Sequence, residues 1–262
     1  RDLHSFPTRR SSDLEIAYVL TNSKEGYGYV INAALNTNPF KNFHLSAAYT
    51  HTESKEISGM PGSAATSAYS GLYSIDGPTF VGLQRSQYVI PDKVTATLSY
   101  MLPALFHGDG VKINLIYTAF SAGGHSYFYS NDLNGDGLAT DLMYIPNDVN
   151  DLKWASVDDM NAFKTFMDND PYLSTHKGQY AEAYAGRSPW KHLLDARISK
   201  VFKRTFGKTT HCFELSLSAS NILNMFNSSW GLTRYSCYGS YDAYAVTPLK
   251  VERIEDNTPV SM

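Results

Sequence analysis

Oxygen-bearing side chains cluster in one turn-rich stretch, NDLNGDGLATDLMYIPND, which spans residues 131–148. Its first half has the alternate-position spacing of an EF-hand calcium loop, with Gly137 at the sharp turn and the Leu138 carbonyl at position 7. Met143 occupies position 12 in place of the bidentate glutamate. The stretch therefore predicts either a calcium site or an Asx and glycine turn leading into a strand. The candidate calcium ligands are Asp132, Asn134, Asp136 and Asp141.

Catalytic motifs are missing from the sequence, which has no G-x-S-x-G, H-E-x-x-H or P-loop. Its two cysteines, Cys212 and Cys237, lack the spacing of zinc ligands, and they are either a disulfide pair or two separate thiols. The net charge of −3 offers no basic excess for nucleic acid. We therefore predict no catalytic residue, no enzymatic activity, no nucleic-acid partner and no cofactor other than the candidate Ca²⁺.

The elements that must position these residues are β-strands. Apolar and polar residues alternate in segments of nine or ten residues, the length that a tilted strand needs to cross a bilayer. Each such strand is apolar on one face only. The predicted strands are 27–35, 43–51, 93–102, 111–120, 193–202 and 212–221, with a weaker strand at 243–253. No run of 18 apolar residues exists, so a membrane-spanning helix is excluded.

The connections between the predicted strands alternate in length. NTNPFKN, PALFHGDG and KRTFGKTT are short hairpin connections, whereas the other connections run to roughly 40, 70 and 20 residues. Short turns at one end and long loops at the other are typical of outer-membrane β-barrels, as are aromatic residues near the strand ends. Those aromatic residues include Tyr27, Tyr29, Tyr88, Tyr100, Tyr117, Phe120 and Phe202.

Two smaller features are also predicted. In the longest loop, SVDDMNAFKTFMDN indicates a short helix capped by Ser156, with an apolar face that includes Phe163. On the polar side of one strand, Asp195 and Arg197 lie where Glu214 is a possible cross-strand neighbour. We expect a salt-bridge ladder facing a barrel lumen there.

The loops resemble a known family. The linked set of NGDG, YIP, DPYL, R-x-P-W at 187–190 and the final N-x-x-N-x-x-W-G is similar to the C-terminal barrel of Bacteroidetes-type TonB-dependent outer-membrane receptors, the subfamily with a carboxypeptidase-regulatory-like domain. The resemblance covers nearly all of 15–238. It implies an all-β fold, namely a partial antiparallel transmembrane β-barrel. This chain would supply about seven or eight strands of a larger barrel, together with long extracellular loops and a short loop helix. The implied location is the cell outer membrane.

The same resemblance implies function and partners. A receptor of this family imports a bulky nutrient and is energised by the TonB complex through a plug domain that this sequence lacks. The implied partners are outer-membrane lipid, the TonB complex, an unidentified nutrient and a surface lipoprotein. Loop aromatics suit sugars, peptides and chelates alike, so they predict no particular nutrient. These aromatics include Tyr127, Tyr129, Tyr172 and Tyr180.

The first residues differ in character from the rest. RDLHSFPTRRSSDL, residues 1–14, resembles one reading frame of a common sequencing adapter, so we expect a disordered artefact there and a partial receptor barrel over 15–262. We also expect the chain to be an internal piece of a longer protein. Two alternatives stay open, a passive porin-like barrel and a secreted β-sandwich that binds calcium and glycans.

Overall fold

A computed structural model describes residues 2–6, 17–103, 110–121, 123–234, 245–255 and 258–261. The strands are β1 (Asp2–Phe6), β2 (Ala17–Thr21), β3 (Tyr27–Thr37), β4 (Phe43–Glu56), β5 (Gln84–Arg85), β6 (Asp92–Leu102), β7 (Val111–Phe120), β8 (Gly124–Tyr129), β9 (Tyr144–Ile145), β10 (Lys153–Trp154), β11 (Gln179–Tyr180), β12 (Gly186–Arg187), β13 (Lys191–Phe206), β14 (Thr209–Ala219), β15 (Ala245–Leu249), β16 (Val251–Glu255) and β17 (Thr258–Ser261). The helices are α1 (Ala65–Ser70), α2 (Val157–Asn169) and α3 (Leu223–Phe226), with 3-10 turns at Pro78–Phe80, Val149–Asp151 and Leu173–Thr175.

Six long strands form the main sheet, in the spatial order β3, β4, β6, β7, β13 and β14, with the short β5 paired to the end of β4. Spatial order equals chain order and every pairing is antiparallel, so the sheet is an up-and-down meander. The six strands predicted most clearly from alternation are thereby confirmed. The all-β class is confirmed as well. Within the described ranges the main sheet stays open, with β3 and β14 at its edges.

The main sheet has one apolar and one polar face. The register runs across all six strands without a shift, so side chains of one kind line up in rows. One row of the apolar face holds Phe43, Tyr100, Ile113, Ile198 and Leu217. The neighbouring row of the polar face holds His44, Ser99, Asn114, Arg197 and Ser218. This separation is the period-2 pattern carried through a whole sheet.

Short and long connections occupy opposite ends of the main sheet. The short connections are 38–42, 103–110 and the two-residue turn at Gly207 and Lys208, where Gly207 adopts a φ of 61°. The long connections are 57–91 and 121–190. Because successive strands are antiparallel, all short turns lie at one end, the short-turn end, and both long loops at the other, the long-loop end. The predicted alternation is confirmed, and β13 and β14 extend further toward their turn than predicted.

The buried core lies in the loops. The two long connections and β15 pack together into a unit that we call the loop assembly, whose fully buried side chains include Tyr127, Met143, Ile145, Met167 and Leu173. A second cluster packs Tyr73 against Phe128 and Tyr184. On the apolar face of the main sheet, by contrast, Ala119 is the one buried residue in the described part of the chain. The long loops are therefore an ordered unit with their own apolar interior.

Helix α2 packs onto this core and agrees with its prediction. Ser156 Oγ accepts a hydrogen bond from the backbone N–H of Asp159 at 3.1 Å, which caps the first turn. Phe163 and Met167 are buried, and Phe163 lies 5.3 Å from the Trp154 ring. Among the residues that the structure describes, no helix is long and apolar enough to cross a membrane.

Two predicted segments differ in the structure. The weak strand at 243–253 is divided into β15 and β16, and neither joins the main sheet, because β15 pairs in parallel with β8 and β16 pairs with β17. Near the start, where we expected disorder, β1 pairs with β2 in an antiparallel ladder. Such a ladder is made by backbone groups and requires no particular side chains. Residues 1 and 7–16 of this region lie outside the described ranges.

Candidate functional site

The four predicted calcium ligands lie in one loop of the loop assembly. Asp132 accepts hydrogen bonds from the backbone N–H groups of Gly135 and Gly137, at 2.7 and 2.8 Å. Both glycines have positive φ, 79° and 87°, which lets the chain wrap around the Asp132 carboxylate. Asp136 accepts in the same way from the N–H of Leu138 at 2.8 Å. The spacing thus builds a series of Asx turns, the second of the two predicted structures.

Asp141 connects this loop to the core. Its carboxylate is buried and accepts hydrogen bonds from the backbone N–H of Leu133 at 2.5 Å and from both nitrogens of Asn134, at 3.1 and 2.8 Å. Burial raises the pKa of Asp141, the backbone donors oppose that rise, and the charges of Asp136 and Asp132 add to it. In the described ranges, no group of three or more His, Cys, Asp or Glu side chains has the arrangement of a metal site. The carboxylate oxygens serve the loop's own donors.

A buried polar chain crosses the loop assembly. Asp170, the first residue of the DPYL motif, accepts hydrogen bonds from the N–H groups of Tyr172 and Leu173, both at 2.9 Å. Its second oxygen accepts from the Tyr127 hydroxyl at 2.5 Å, and that hydroxyl lies 3.0 Å from His125 Nε2. Burial lowers the pKa of His125 to about 4, and burial followed by the Asp170 contact raises the pKa of Tyr127. At neutral pH the chain therefore contains a neutral imidazole and a neutral phenol, whose hydroxyl donates to Asp170.

An ionic junction holds the loop assembly against the main sheet. Glu182, in the longest loop, accepts from Lys55 Nζ of β4 at 2.8 Å and from Arg85 Nε of β5 at 3.1 Å. Burial alone would raise the pKa of Glu182, but its contacts with Lys55 and Arg85 outweigh burial and lower it. Burial also lowers the pKa of the nearby Arg187, the arginine of the R-x-P-W motif. Three elements distant in sequence thus meet at one carboxylate.

The polar face carries part of the predicted salt-bridge ladder. Arg197 Nη2 lies 3.3 Å from Glu214 Oε1 and 3.2 Å from Ser216 Oγ on the adjacent strand. Asp195, the third predicted member, instead accepts the backbone N–H of Asn221 at 2.7 Å. A cavity of about 710 Å³ opens on this face toward the short-turn end, and its lining includes Lys112, Asn114, Arg197, Lys203 and Glu214. The face offers charged groups of both signs.

The loop tyrosines divide into two kinds. Tyr127 and Tyr129 are 1% and 3% exposed and fill the core, so they have no surface to offer a nutrient. Tyr172 is partly buried and stacks on Tyr127 with a centroid distance of 5.9 Å. Tyr180 is 49% exposed and is the one of these four that presents its ring to solvent. Alternation along β8 could not reveal this, since all six residues of β8 are buried.

An aromatic cavity of about 400 Å³ was missed by the reasoning from sequence. It lies at the long-loop end of the apolar face, where Trp190 and Trp230 are 42% and 52% exposed. The available signal was the spacing of Asn221, Asn224 and Asn227 ahead of Trp230, which builds the turn that presents this tryptophan. We call this feature the aromatic cavity.

The described contacts give ordered loops, a two-faced sheet and cavities suited to binding. Cys212 is exposed and has no disulfide partner among the described residues, and Cys237 lies outside them, so a pairing between the two stays open. Comparison of the chain with protein-family models, with curated proteins and with solved structures finds no match.

Proposed function

We propose that the chain is part of a TonB-dependent outer-membrane receptor, a transporter without enzymatic activity that takes up a bulky nutrient. The single observation that carries the membrane part of the proposal is the uncovered apolar face of the main sheet. The receptor part rests on the linked loop motifs, whose residues build the loop assembly and the aromatic cavity. Each of these supports is argued below.

The apolar face is too large for an exposed surface of a soluble monomer. The five ladders of the main sheet contain 51 cross-strand pairs, and at about 4.8 Å between strands and about 3.4 Å per residue they span roughly 800 Å² on each face. The largest exposed apolar patch of a soluble monomer is about 300–600 Å². Large side chains on this face are well exposed, among them Leu35 at 59%, Phe213 at 63% and Leu217 at 74%. Lipid is the solvent that suits such a face.

The sandwich alternative lacks its second layer. A β-sandwich buries the apolar face of one sheet against that of another. In the described ranges, the other sheets have two or three strands, and the apolar core belongs to the loop assembly. The proposal therefore favours a membrane barrel over a secreted sandwich.

Aromatic residues border the apolar face at both ends. Tyr29 and Tyr49 are exposed at the long-loop end, where their hydroxyls donate to Glu53 at 2.5 Å and to Asp92 at 2.6 Å. Phe43 and Tyr100 lie at the short-turn end. Ten residues of β4 separate Phe43 from Glu53, the partner of Tyr29, which corresponds to about 25 Å across a bilayer for a strand tilted by about 40°. That is the height of the lipid-facing band of outer-membrane barrels.

Of the aromatic residues predicted near strand ends, most agree with this border. Tyr27, Tyr29, Tyr100, Tyr117 and Phe202 share the register of the apolar face, whereas Phe120 pairs with Lys93 and Lys191 on the polar face. In the proposed barrel the polar face lines the lumen and the loop assembly lies outside the cell. The ionic junction at Glu182 then orders the loops over the opening.

Cell fractionation and capture by TonB test the proposal together. The full-length protein should remain with the outer membrane after a high-salt wash and should be captured by the periplasmic domain of TonB. Recovery in the soluble fraction would contradict the membrane assignment. Recovery with the outer membrane but without capture by TonB would support the passive, porin-like barrel and would contradict active transport.

A further inference from the structure

The aromatic cavity lies where the apolar face meets the loop assembly. Tyr117 of β7 and His192 of β13 share the register of the apolar face and form one wall. The Tyr117 hydroxyl lies 2.7 Å from His192 Nδ1, and the Trp190 ring stacks near the His192 ring at a centroid distance of 6.4 Å. The wall is therefore a row of aromatic rings fixed to the end of the sheet.

The opposite wall is built by the turn after β14. Asn221 has a φ of 53° and donates from Nδ2 to the Gly231 carbonyl at 3.1 Å. Asn224 donates to the Trp230 carbonyl at 3.1 Å, and Gly231 has a φ of 65°. These contacts hold Trp230 across from Trp190 with a cavity of about 400 Å³ between the walls. The cavity is thus held open by an ordered turn.

The charge of the aromatic cavity is positive. Its lining contains the cationic Arg234, and in the described part of the chain it contains no Asp or Glu. When Tyr117 donates to His192 Nδ1, Nε2 carries the imidazole hydrogen and becomes the donor of that ring. Arginine and imidazole donors suit a phosphate group, and arginine can bind it with two parallel hydrogen bonds.

The position of the aromatic cavity selects among phosphate-bearing ligands. Tryptophan is enriched at the level of lipid headgroups, where its ring meets acyl chains and its N–H meets water. Leu223 and Leu232 also line the cavity and offer apolar surface beside Arg234. A nutrient in a barrel lumen would face the other side of the sheet. The surroundings therefore match a lipid, with the phosphate at Arg234 and the chains along the apolar face.

We propose that the aromatic cavity is a binding site for the headgroup of an anionic membrane lipid, in which no cationic group of the same headgroup neutralises the phosphate. The inference rests on the proposed function, because it requires that the apolar face contact lipid. The site gives the long-loop end a fixed contact with the headgroup layer, at the base of the loop assembly.

Fluorescence quenching by brominated lipids tests the site. The chain has three tryptophans, so Trp154→Phe leaves Trp190 and Trp230, the two in the aromatic cavity, as reporters. The full-length protein with this substitution, and with phenylalanine at any tryptophan outside these 262 residues, is placed in phosphatidylcholine nanodiscs with a minor fraction of lipid brominated near the headgroup. We expect brominated phosphatidylglycerol to be enriched about fivefold over brominated phosphatidylcholine at the two tryptophans, and therefore to quench them more strongly. Arg234→Gln should remove the enrichment.

The controls separate the two proposals. Arg204→Gln changes an exposed arginine at the short-turn end, and it should leave the enrichment unchanged. Equal quenching by both brominated lipids would overturn the headgroup site and leave the lipid-facing sheet in place. Absence of quenching by either lipid would overturn both. Protection from quenching by soluble glycerol 3-phosphate at millimolar concentration would assign the site to free phosphate compounds and overturn the lipid assignment.

Discussion

The Tyr127 hydroxyl lies between the buried His125 Nε2 and the partly buried Asp170 side chain. His125 Nδ1 already has no hydrogen-bond partner among the described residues. The hydroxyl therefore satisfies a buried donor and a partly buried acceptor within the loop assembly. Its ring is also part of the apolar core, so removal of the oxygen alone isolates the polar contribution.

Tyr127→Phe should destabilise the loop assembly by about 1–3 kcal/mol, because a buried imidazole nitrogen and a partly buried oxygen of Asp170 lose their partner. Hydrogen exchange in 121–190 reports the loss as faster opening of that loop. The matched control is Tyr180→Phe, at a ring that is 49% exposed, which should change exchange little. Equal effects of the two substitutions would contradict the role assigned to the Tyr127 hydroxyl.

The calcium loop stays a prediction at the residue scale. The hydrogen bonds of Asp132 and Asp141 to backbone donors give the loop a defined shape by themselves, so any calcium site there is weak, in the millimolar range of extracellular sites. Calorimetry with calcium on the full-length protein measures this directly. A heat of calcium binding that is lost in the Asp141→Asn variant would support the four predicted ligands. If the unaltered protein shows no heat of binding up to about 10 mM Ca²⁺, the metal site is ruled out.

At the scale of elements, the ionic junction links the longest loop to β4 and β5 through Glu182. Because the folded-state pKa of Glu182 is lowered, its contribution to stability is present above the ordinary glutamate pKa of about 4.3 and is lost as pH falls through the lower folded value. The contact should therefore weaken in acid and be complete at neutral pH.

Glu182→Gln should cost about 1–2 kcal/mol of loop stability at pH 7, since the junction is partly buried and two cations lose their partner. The substitution should also remove the corresponding part of the pH dependence below about 4.3. Limited proteolysis of 121–190 at pH 7 and pH 4 measures both effects. Glu214→Gln, at an exposed pair with Arg197, is the control and should change stability by less than about 1 kcal/mol. A larger effect at Glu214 than at Glu182 would contradict this account.

The elements that could be predicted from sequence are those whose pattern is local. β4, β6, β7 and β13 alternate because each has one apolar face, and α2 has a cap and an apolar stripe within its own residues. β15 could not be placed, because its parallel partner β8 lies more than a hundred residues earlier and its apolar residues are buried in the loop core. The aromatic cavity likewise brings Tyr117 together with Trp230, which lies more than a hundred residues later.

At the scale of the whole molecule, the main sheet has two open edges. Among the described residues, β3 and β14 each pair on one side only, and an exposed edge of this length is a site for pairing with another strand. In the proposed barrel both edges pair with further strands, and closure removes the edges. In the proposed barrel this sheet is one part of the wall, with lipid on its apolar face and the lumen on its polar face. Glu182 fixes the long loops against the end of that wall.

The orientation of alternate residues on β14 tests the central claim most directly. Spin labels are placed singly at Leu215, Ser216, Leu217 and Ser218 in the full-length protein in nanodiscs, with every native cysteine, including Cys212 and Cys237, replaced by serine. Collision rates are measured with oxygen, which concentrates in lipid, and with a water-soluble nickel complex. The account predicts that labels at Leu215 and Leu217 favour oxygen and that labels at Ser216 and Ser218 favour the nickel complex. Preference for the nickel complex at all four positions would contradict a lipid-facing sheet.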